Sequence, residues 1–493
     1  MNSEHLPALQ VVVPLLGAVV CAFFTRGDRA WFVALVVSLA MPFIAFGLLI
    51  KVLHGGPISY ALGGWAPPFG IEYRVDVLNA YVLVLVSVIG AVVMPYAKRS
   101  VEQEIPADKQ AWFYTIYLLC LCGLLGIAIT GDAFNAFVFM EVSSLATYAL
   151  IAMGRDRRSL LAAYQYLIMG TIGATFYVIG VGLLYSMTGT LNLADMANRI
   201  AGIENSRAIL AALAFLTVGI SLKLALFPLH VWLPNAYTYA PSMATVFLSA
   251  TATKVAVYLL LRYFFTVFGV TVIYADLPIS EIFLVLSLAA MFGASTVAVF
   301  QDNVKRMLAY SSVGQIGYIT LGIGIANETG LTGGIVHLFN HALTKATLFM
   351  AVGAIFFRIG SVRIEDLGGI GKRMPLTAGA FFIAGLSLLG VPGTVGFITK
   401  WYLGLGAAED GWWWLIMLIV LSSMISVLYI GRFVEVMWFR DVVPAARRAK
   451  EPPLSMLIPM LLLTAMTIYF GFDTTLTEGV AELAAQWLLT GAR

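Results

Sequence analysis

Charge is scarce in this sequence. Only 11% of its 493 residues are Asp, Glu, Lys or Arg, against about 25% in soluble domains, while 60% are hydrophobic. That balance excludes an ordinary soluble fold and marks an integral membrane protein, to which the soluble-domain length rule does not apply. No polar segment is long enough to form a separate soluble domain. The net charge of +3 is too small to imply a nucleic-acid partner. Cysteine is rarer still. Cys21, Cys120 and Cys122 sit in apolar runs, without the spacing of a zinc site or a disulfide framework, and read as core residues. There is no Walker motif, no GxGxxG in a strand–helix context and no cysteine cluster. Nothing here carries electrons or hydrolyses a nucleotide, so no cofactor and no bound metal are expected. The opening MNSEHLPALQ lacks a basic n-region, so no cleaved signal peptide is expected.

What the chain has is apolar runs. A spanning helix needs about 20 mostly apolar residues. On that rule the sequence predicts an all-α polytopic protein with fourteen spans, near 6–24, 30–53, 75–97, 111–130, 132–153, 158–187, 208–239, 242–266, 279–300, 304–326, 331–357, 375–406, 412–439 and 454–472. The seventh and twelfth are longer than a bilayer requires and carry an internal break, at Pro228 and at Pro392-Gly393. Segment 54–74, rich in Gly and Pro, is too polar to span and reads as a turn or short hairpin. In the tail 474–493, Leu476, Val480, Leu483, Ala484, Trp487 and Leu488 recur at helical spacing. Such a helix either lies on the membrane surface or caps the bundle.

One set of alternate loops, with the adjoining helix ends, holds most of the basic residues, among them Arg26, Lys98, Arg157, Lys305, Arg363, Arg447 and Arg448. The other set and the termini hold only Lys51, Arg74, Arg199, Arg207, Arg262 and Arg493. The positive-inside rule puts the first set in the cytoplasm. Both termini, Asn192 and Asp410 then face outward. The expected location is the plasma membrane of a prokaryote. Spans four to eight and nine to thirteen form two groups of five, each with a broken span in fourth place. Because five is odd, the second group starts from the opposite side, as in an inverted repeat. The chain divides accordingly into 1–110, a three-helix segment; 111–266, the first repeat; 279–439, the second; and 440–493, a last helix and amphipathic tail.

The remaining charge is placed unusually. The stretch SLKLALFPLHVWLPNAYTYAPSMATVFLSATATKVAVYLLLR is apolar, yet contains Lys223, His230 and Lys254 and is interrupted by Pro228, Pro234 and Pro241. An ionisable group at mid-bilayer costs roughly 2.5–3.5 kcal/mol on insertion scales, so it faces a bundle interior or water and marks a pathway. Proline frees backbone carbonyls that must line protein or a wet cavity. The competing reading is lysines that snorkel from helix ends. Glu141 is apolar on both sides. A lone buried carboxylate protonates, whereas one beside a lysine stays charged, and Lys223 is the natural partner, for transport or as a static structural pair. His337, His341 and Lys345 recur every four residues and share one helix face. They read as a proton relay, a structural polar stripe or, without an accompanying Glu, Asp or Cys, a poor metal site. Histidine suits a relay because its unperturbed pKa is near neutral. Lys400 follows the second break and reads as a relay end or a snorkelling lysine.

Four motifs in order, FMEVSSLATYAL, LKLALFPLHVWLPNAYTYAPS, KRMLAYSSVGQIGY and HLFNHALTKATLF, resemble the proton-translocating antiporter-like family. That family comprises the large subunits of Mrp-type cation/proton antiporters and the antiporter-like subunits of respiratory complex I and membrane-bound hydrogenases. The resemblance covers nearly the whole chain. It implies fourteen helices with two inverted five-helix repeats. Glu141 and Lys223 match the family's fifth- and seventh-helix pair, Lys254 its eighth-helix relay position, His341 and Lys345 its eleventh-helix polar positions, and Lys400 its twelfth-helix terminal residue. The stretches FVFMEVSSLATYALIAMG and PNAYTYAPS look most like the D-type subunits of Mrp antiporters, and Asn235 stands where many complex I members have an acidic residue.

The resulting expectation is a proton-translocating subunit of a multi-subunit monovalent cation/proton antiporter, with other membrane subunits, protons, a monovalent cation and lipid as partners. Protons would pass Glu141 and Lys223, then Lys254, then the His341/Lys345 region, then Lys400, with His230 and His337 secondary. One rival is the same module in a complex I-like NADH:quinone oxidoreductase or hydrogenase. Another is a non-conducting scaffold.

Overall fold

The computed structural model describes residues 3–490, so Arg493 of the second loop set lies outside the described residues. The first helices are α1 (Leu6–Ala22), α2 (Gly27–Gly55), α3 (Val77–Glu104), α4 (Gln110–Ile129), α5 (Ala133–Ala152) and α6 (Arg158–Thr188). A short α7 (Leu193–Ile200) precedes α8 (Arg207–Leu224), α9 (Trp232–Tyr239) and α10 (Ser242–Leu261). Then follow α11 (Ile279–Val299), α12 (Val304–Ile325), α13 (Glu328–Ile359), α14 (Pro375–Leu389), α15 (Val395–Glu409), α16 (Trp413–Trp438), α17 (Leu454–Phe472) and α18 (Thr477–Thr490). Twelve described helices are long and apolar enough to cross a membrane. The shorter α1 and the α14/α15 pair bring the spans to the expected fourteen.

Both broken spans end where proline chemistry requires. A proline ring collides with the carbonyl four residues back, and its nitrogen donates nothing. Four residues before Pro228 stands Leu224, the last residue of α8. The chain turns at Ala225, with φ 60°, and resumes at Trp232. Leu389, three residues before Pro392, ends α14; Gly390 and Gly393, both with φ 84°, carry the turn, and α15 starts at Val395.

The polar segment 54–74 is the expected hairpin. Strands β1 (Ile58–Ala61) and β2 (Glu72–Val75) pair antiparallel, with Ile58 opposite Val75 and Ala61 opposite Glu72. Asp76 then caps α3 in a capping box with Asn79, satisfying donors that a helix start leaves open. The tail helix caps the bundle. Val480, Ala481, Ala484 and Leu488 are buried against α13 and α3, Gln486 donates to Glu328 at 2.9 Å and Tyr402 to Glu478 at 2.6 Å. Of the apolar tail positions, Leu483 faces away from the bundle. Helix α7 was not expected, because eight residues are too few for a periodic signal.

Loop contacts sort into two faces. On the hairpin face, His5 meets Tyr60 at 3.0 Å, Asn192 donates to Glu72 at 2.7 Å, and Asn327 donates to Asp410 at 3.1 Å. On the arginine-rich face, Arg158 meets Tyr239, Arg432 pairs with Asp302 and Arg358 holds the Glu451 carbonyl. The alternation follows the expected loop sets, with two revisions. Arg262 is not a loop cation: it is buried and paired to Asp76. Lys305 is also buried, and donates to the Ala240 carbonyl at the end of α9, at 3.1 Å. From the other side, Glu104 accepts the backbone N–H of Ser242 at the start of α10, at 3.0 Å. A cation on a helix C-terminus and an anion on a helix N-terminus are the favourable pairings. The turn from the broken span into α10 is thus held by α12 and α3 together.

Helices α3, α10, α12 and α13 are buried on nearly all sides, whereas α2, α6, α11, α16 and α17 bury one side only. The outer sides carry Phe32, Phe43, Leu160, Val285, Met417 and Leu428, all exposed, which suits contact with lipid or other membrane subunits.

Candidate functional site

The site begins between α5 and α8. Lys223 sits in the last turn of α8, one residue before its end, where unpaired carbonyls favour a cation. Its ammonium lies 3.6 Å from Glu141 Oε1 and donates to Ser144 Oγ at 2.6 Å and the Tyr148 hydroxyl at 3.4 Å. Glu141, Ser144 and Tyr148 follow one another along one side of α5, so a single helix face supplies all three. The ion pair is longer than a hydrogen bond, and the serine makes the close contact. The two partners differ in burial: Lys223 is 6% exposed and Glu141 29%. Glu141 stands on a stripe with Phe134, Val138 and Leu145, all exposed.

Next to Lys223 is a cavity of about 30 Å³, bounded by Ser143, Ser144, Thr147 and Tyr166 on one side and by Ala252 and Val255 of α10 on the other. That is room for one water with polar partners. Lys254, fully buried on α10, donates to the Ser249 carbonyl and approaches Thr253 Oγ1 at 3.4 Å. Helix α13 carries the next groups. Lys345, fully buried, donates to the Leu308 carbonyl at 3.0 Å and to Ser311 of α12. The rings of His341 and His337 stack with centroids 5.5 Å apart and planes within 4°. His337 Nδ1 meets Thr399 Oγ1 of α15 at 3.0 Å, and Thr399 also accepts from Asn340 at 3.1 Å. His341 lies within electrostatic reach of Lys254 and Lys345, and His337 of those two and Lys400.

Lys400 ends the series, one residue after Thr399. Its ammonium donates to the carbonyls of Leu388 at 3.0 Å and Leu389 at 2.6 Å, the groups left open where α14 stops. It also lies 5.0 Å from the Tyr318 ring centre, within cation–π range. Gly390 makes this possible: a Cβ there would stand 2.6 Å from Lys400 Cδ. The side chain therefore folds back over the break instead of reaching along α15 to the surface. Snorkelling fails for Lys223, Lys254 and Lys345 as well, since each is buried.

Seven of the eight candidate residues thus lie in the interior of the bundle, on α5, α8, α10, α13 and α15, with hydroxyls and backbone carbonyls as the closest partners of the lysines and His337. His230 does not join them. It sits in the first break, half-buried, stacked on Phe227 at 5.1 Å. Among the described residues no third His, Cys, Asp or Glu joins His337 and His341 to make a metal-ligand set. Sequence reading missed Ser144, Tyr148, Thr399 and Tyr318. The first two had a usable signal, three and seven residues after Glu141; the other two meet the path only across helices.

Comparison with known proteins bears on this arrangement. Residues 130–426 match the family described as "NADH:quinone oxidoreductase/Mrp antiporter, TM". The chain is 41% identical, over 99% of its length and 100% of the relative's, to the N-type subunit of the NADH-quinone oxidoreductase of Desulforudis audaxviator. It is 28% identical, over 95% of its length and 94% of the relative's, to the D-type subunit of the Na(+)/H(+) antiporter of Alkalihalophilus pseudofirmus. Its fold superposes with a TM-score of 0.90 on a chain of the Mrp complex from Dietzia sp., covering 100% of this chain and 98% of that one at 27% identity.

Proposed function

We propose, from the premise that this chain belongs to the NADH:quinone oxidoreductase/Mrp antiporter transmembrane family, that it is a proton-translocating subunit of a multi-subunit monovalent cation/proton antiporter. The observation that carries the reading is the path itself: ionisable side chains run through the bundle from Glu141 and Lys223 past Lys254, Lys345, His341 and His337 to Lys400. Membrane-embedded charge is costly and lies along ion or proton pathways. In the proposed mechanism a proton reaching Lys223 passes by water to Lys254. Each newly charged lysine disfavours charge on the next, so the proton moves on through the α13 groups. Lys400 releases it near the hairpin face.

The basic loops support a cytoplasmic arginine-rich face, and with it a hairpin face outside; the bacterial relatives support a prokaryotic plasma membrane. We read 1–110 as a three-helix segment, 111–266 and 279–439 as two inverted five-helix repeats, and 440–493 as a last helix with its tail. The Glu141 stripe supports a partner surface, since a carboxylate facing lipid is expensive and another membrane subunit would cover it.

A second reading, a proton-pumping subunit of a redox-driven complex, is favoured by the higher identity to the oxidoreductase relative, 41% against 28% for the antiporter relative. Purification in mild detergent separates the two. Cation/proton exchange in vesicles with no iron–sulfur or flavin subunit in the purified complex supports the antiporter. Co-purifying redox subunits and quinone-dependent pumping overturn it in favour of the second. Full exchange in an assembled Lys254→Ala complex refutes the relay in both.

A further inference from the structure

One large cavity belongs to no step above. It has a volume of about 710 Å³ and opens on the hairpin face. Its mouth includes Asn198, Thr271 and Asp276, all exposed, and its floor is Asp76, Tyr258 and Arg262, all buried. The floor is an ion pair with two contacts: Arg262 Nη1 lies 2.7 Å from Asp76 Oδ2, and Nη2 lies 2.9 Å from Oδ1. Nη1 also donates to Thr266 at 3.2 Å, and Nε to the Tyr258 hydroxyl at 3.4 Å. Two parallel contacts of this kind fix the guanidinium in place as well as neutralising it.

Two further observations give the floor a direction. Lys254, Tyr258 and Arg262 recur every four residues, so they share one face of α10 and the turn that continues it. The Lys254 backbone therefore stands two turns below the floor, about 12 Å along the axis, with its ammonium turned away from the floor onto the Ser249 carbonyl. At Arg262 the helix also widens into a π-helical stretch, Arg262–Phe268. Such irregularities are rare and concentrate at functional sites. Here the widening begins at the residue that closes the cavity.

We propose that this cavity is an aqueous vestibule and that the Asp76–Arg262 pair is a gate between it and Lys254. The proposal rests on the reading of Lys254 as a proton carrier, and it gives the middle of the path its own access to the hairpin face, separate from Lys400. With the pair closed, the guanidinium fills the floor and cannot give up its proton. When the pair parts, water reaches Tyr258. The Lys254 ammonium, swung off the Ser249 carbonyl, then passes its proton to that water and is left neutral, while Arg262 keeps its own.

The test uses vesicles holding the assembled complex. Arg262→Gln should raise passive proton conductance, measured without a transported cation, by about tenfold, equivalent to ~1.4 kcal/mol off the barrier. Adding Lys254→Ala should remove that leak. An assembled Arg262→Gln complex as tight as the wild type overturns the gate, and so does a leak that survives Lys254→Ala. If Arg262→Gln does not assemble, Asp76→Asn takes its place, since it removes the charge while keeping an acceptor for the Asn79 N–H. Should neither assemble, Thr266→Cys decides. The three native cysteines are buried, and Thr266 lines the cavity, so a membrane-impermeant thiol reagent should label it from the hairpin face; no labelling rules out the vestibule. Failure of the underlying reading looks different: Lys254→Ala alone would then leave exchange intact.

Discussion

The two broken spans solve the same problem in different ways. Each puts a lysine near the carbonyls that a helix end leaves open. At the first break Lys223 precedes the proline by five residues, is almost fully buried and faces a carboxylate and two hydroxyls. At the second, Lys400 follows the proline by eight, is half-buried, and rests on two backbone carbonyls and an aromatic face. A carboxylate stabilises an ammonium more than carbonyl dipoles do. On the proposed mechanism, the first environment favours a held charge and the second a charge that is passed on. The turns differ as well. The first is made by Ala225 at φ 60°, the second by Gly390 and Gly393, and at Gly390 the Lys400 stem lies where a Cβ would stand.

The contrast is most easily broken at Lys400. Arginine would keep a long stem and a positive charge, but it cannot deprotonate. Lys400→Arg is expected to assemble normally and to lose cation-coupled proton transport almost as fully as Lys400→Ala. Exchange would be followed in inverted vesicles by dye dequenching, with assembly checked on native gels. Near-normal exchange in the arginine variant would remove Lys400 from the path.

At the first break the corresponding change is Glu141→Ala. Removing one partner of a buried pair costs about 3–5 kcal/mol, and partial exposure of Glu141 puts the expected loss at or below the low end. Transport should fall strongly, with assembly weakened but not abolished, and Glu141→Asp should be milder. A stably assembled Glu141→Ala complex with normal transport would show that Lys223 needs no carboxylate.

Backbone substitutions sharpen the contrast, with opposite signs expected. At Gly390, with φ 84°, an alanine meets the left-handed penalty of about 1–2 kcal/mol. Its Cβ would also press on Lys400, so Gly390→Ala should lower both thermal stability and exchange. Ala225→Gly relieves the same penalty and should leave stability equal or higher by a few tenths of a kcal/mol to about 1 kcal/mol. Thermal unfolding of the purified complex reads both, and equal losses at the two turns would contradict the assignment of different roles.

The smallest functional effect is expected from cysteines that report sidedness. Asp410 and Arg448 are both exposed and lie on opposite faces. Asp410→Cys should react with an impermeant thiol reagent only from outside and Arg448→Cys only from the cytoplasm, each with exchange unchanged. Labelling of position 410 solely from the cytoplasm would invert the direction of the path. Asn192 is a poor reporter, because it is buried against Glu72 and caps α7.

Much of the site was legible because its signals are local. Lysines and histidines in apolar runs are conspicuous whatever the fold, and the four-residue spacing of His337, His341 and Lys345 places them on one face without tertiary information. His230 shows the limit: an ionisable residue in a break has the same local signature whether or not it meets the others. Arg262 shows the converse. Near a span end it resembled a loop cation, and only its partner, 186 residues earlier in the chain, reveals a buried pair.

By itself the sequence determined what depends on a residue and its near neighbours: membrane insertion from apolar length, the fourteen spans, and the two breaks, because proline and glycine act on their own backbone within one helical turn. The tertiary structure alone decided which spans are central and which face outward. Lipid tails and protein interiors are equally apolar, so hydropathy along α3, buried throughout, and along α2, buried on one side, reads the same. It alone also decided the pairings, Lys223 with Ser144, His337 with Thr399, Asp76 with Arg262. These rest on helices meeting across the bundle, and a hydrogen bond between distant helices leaves no periodicity in the chain that makes it.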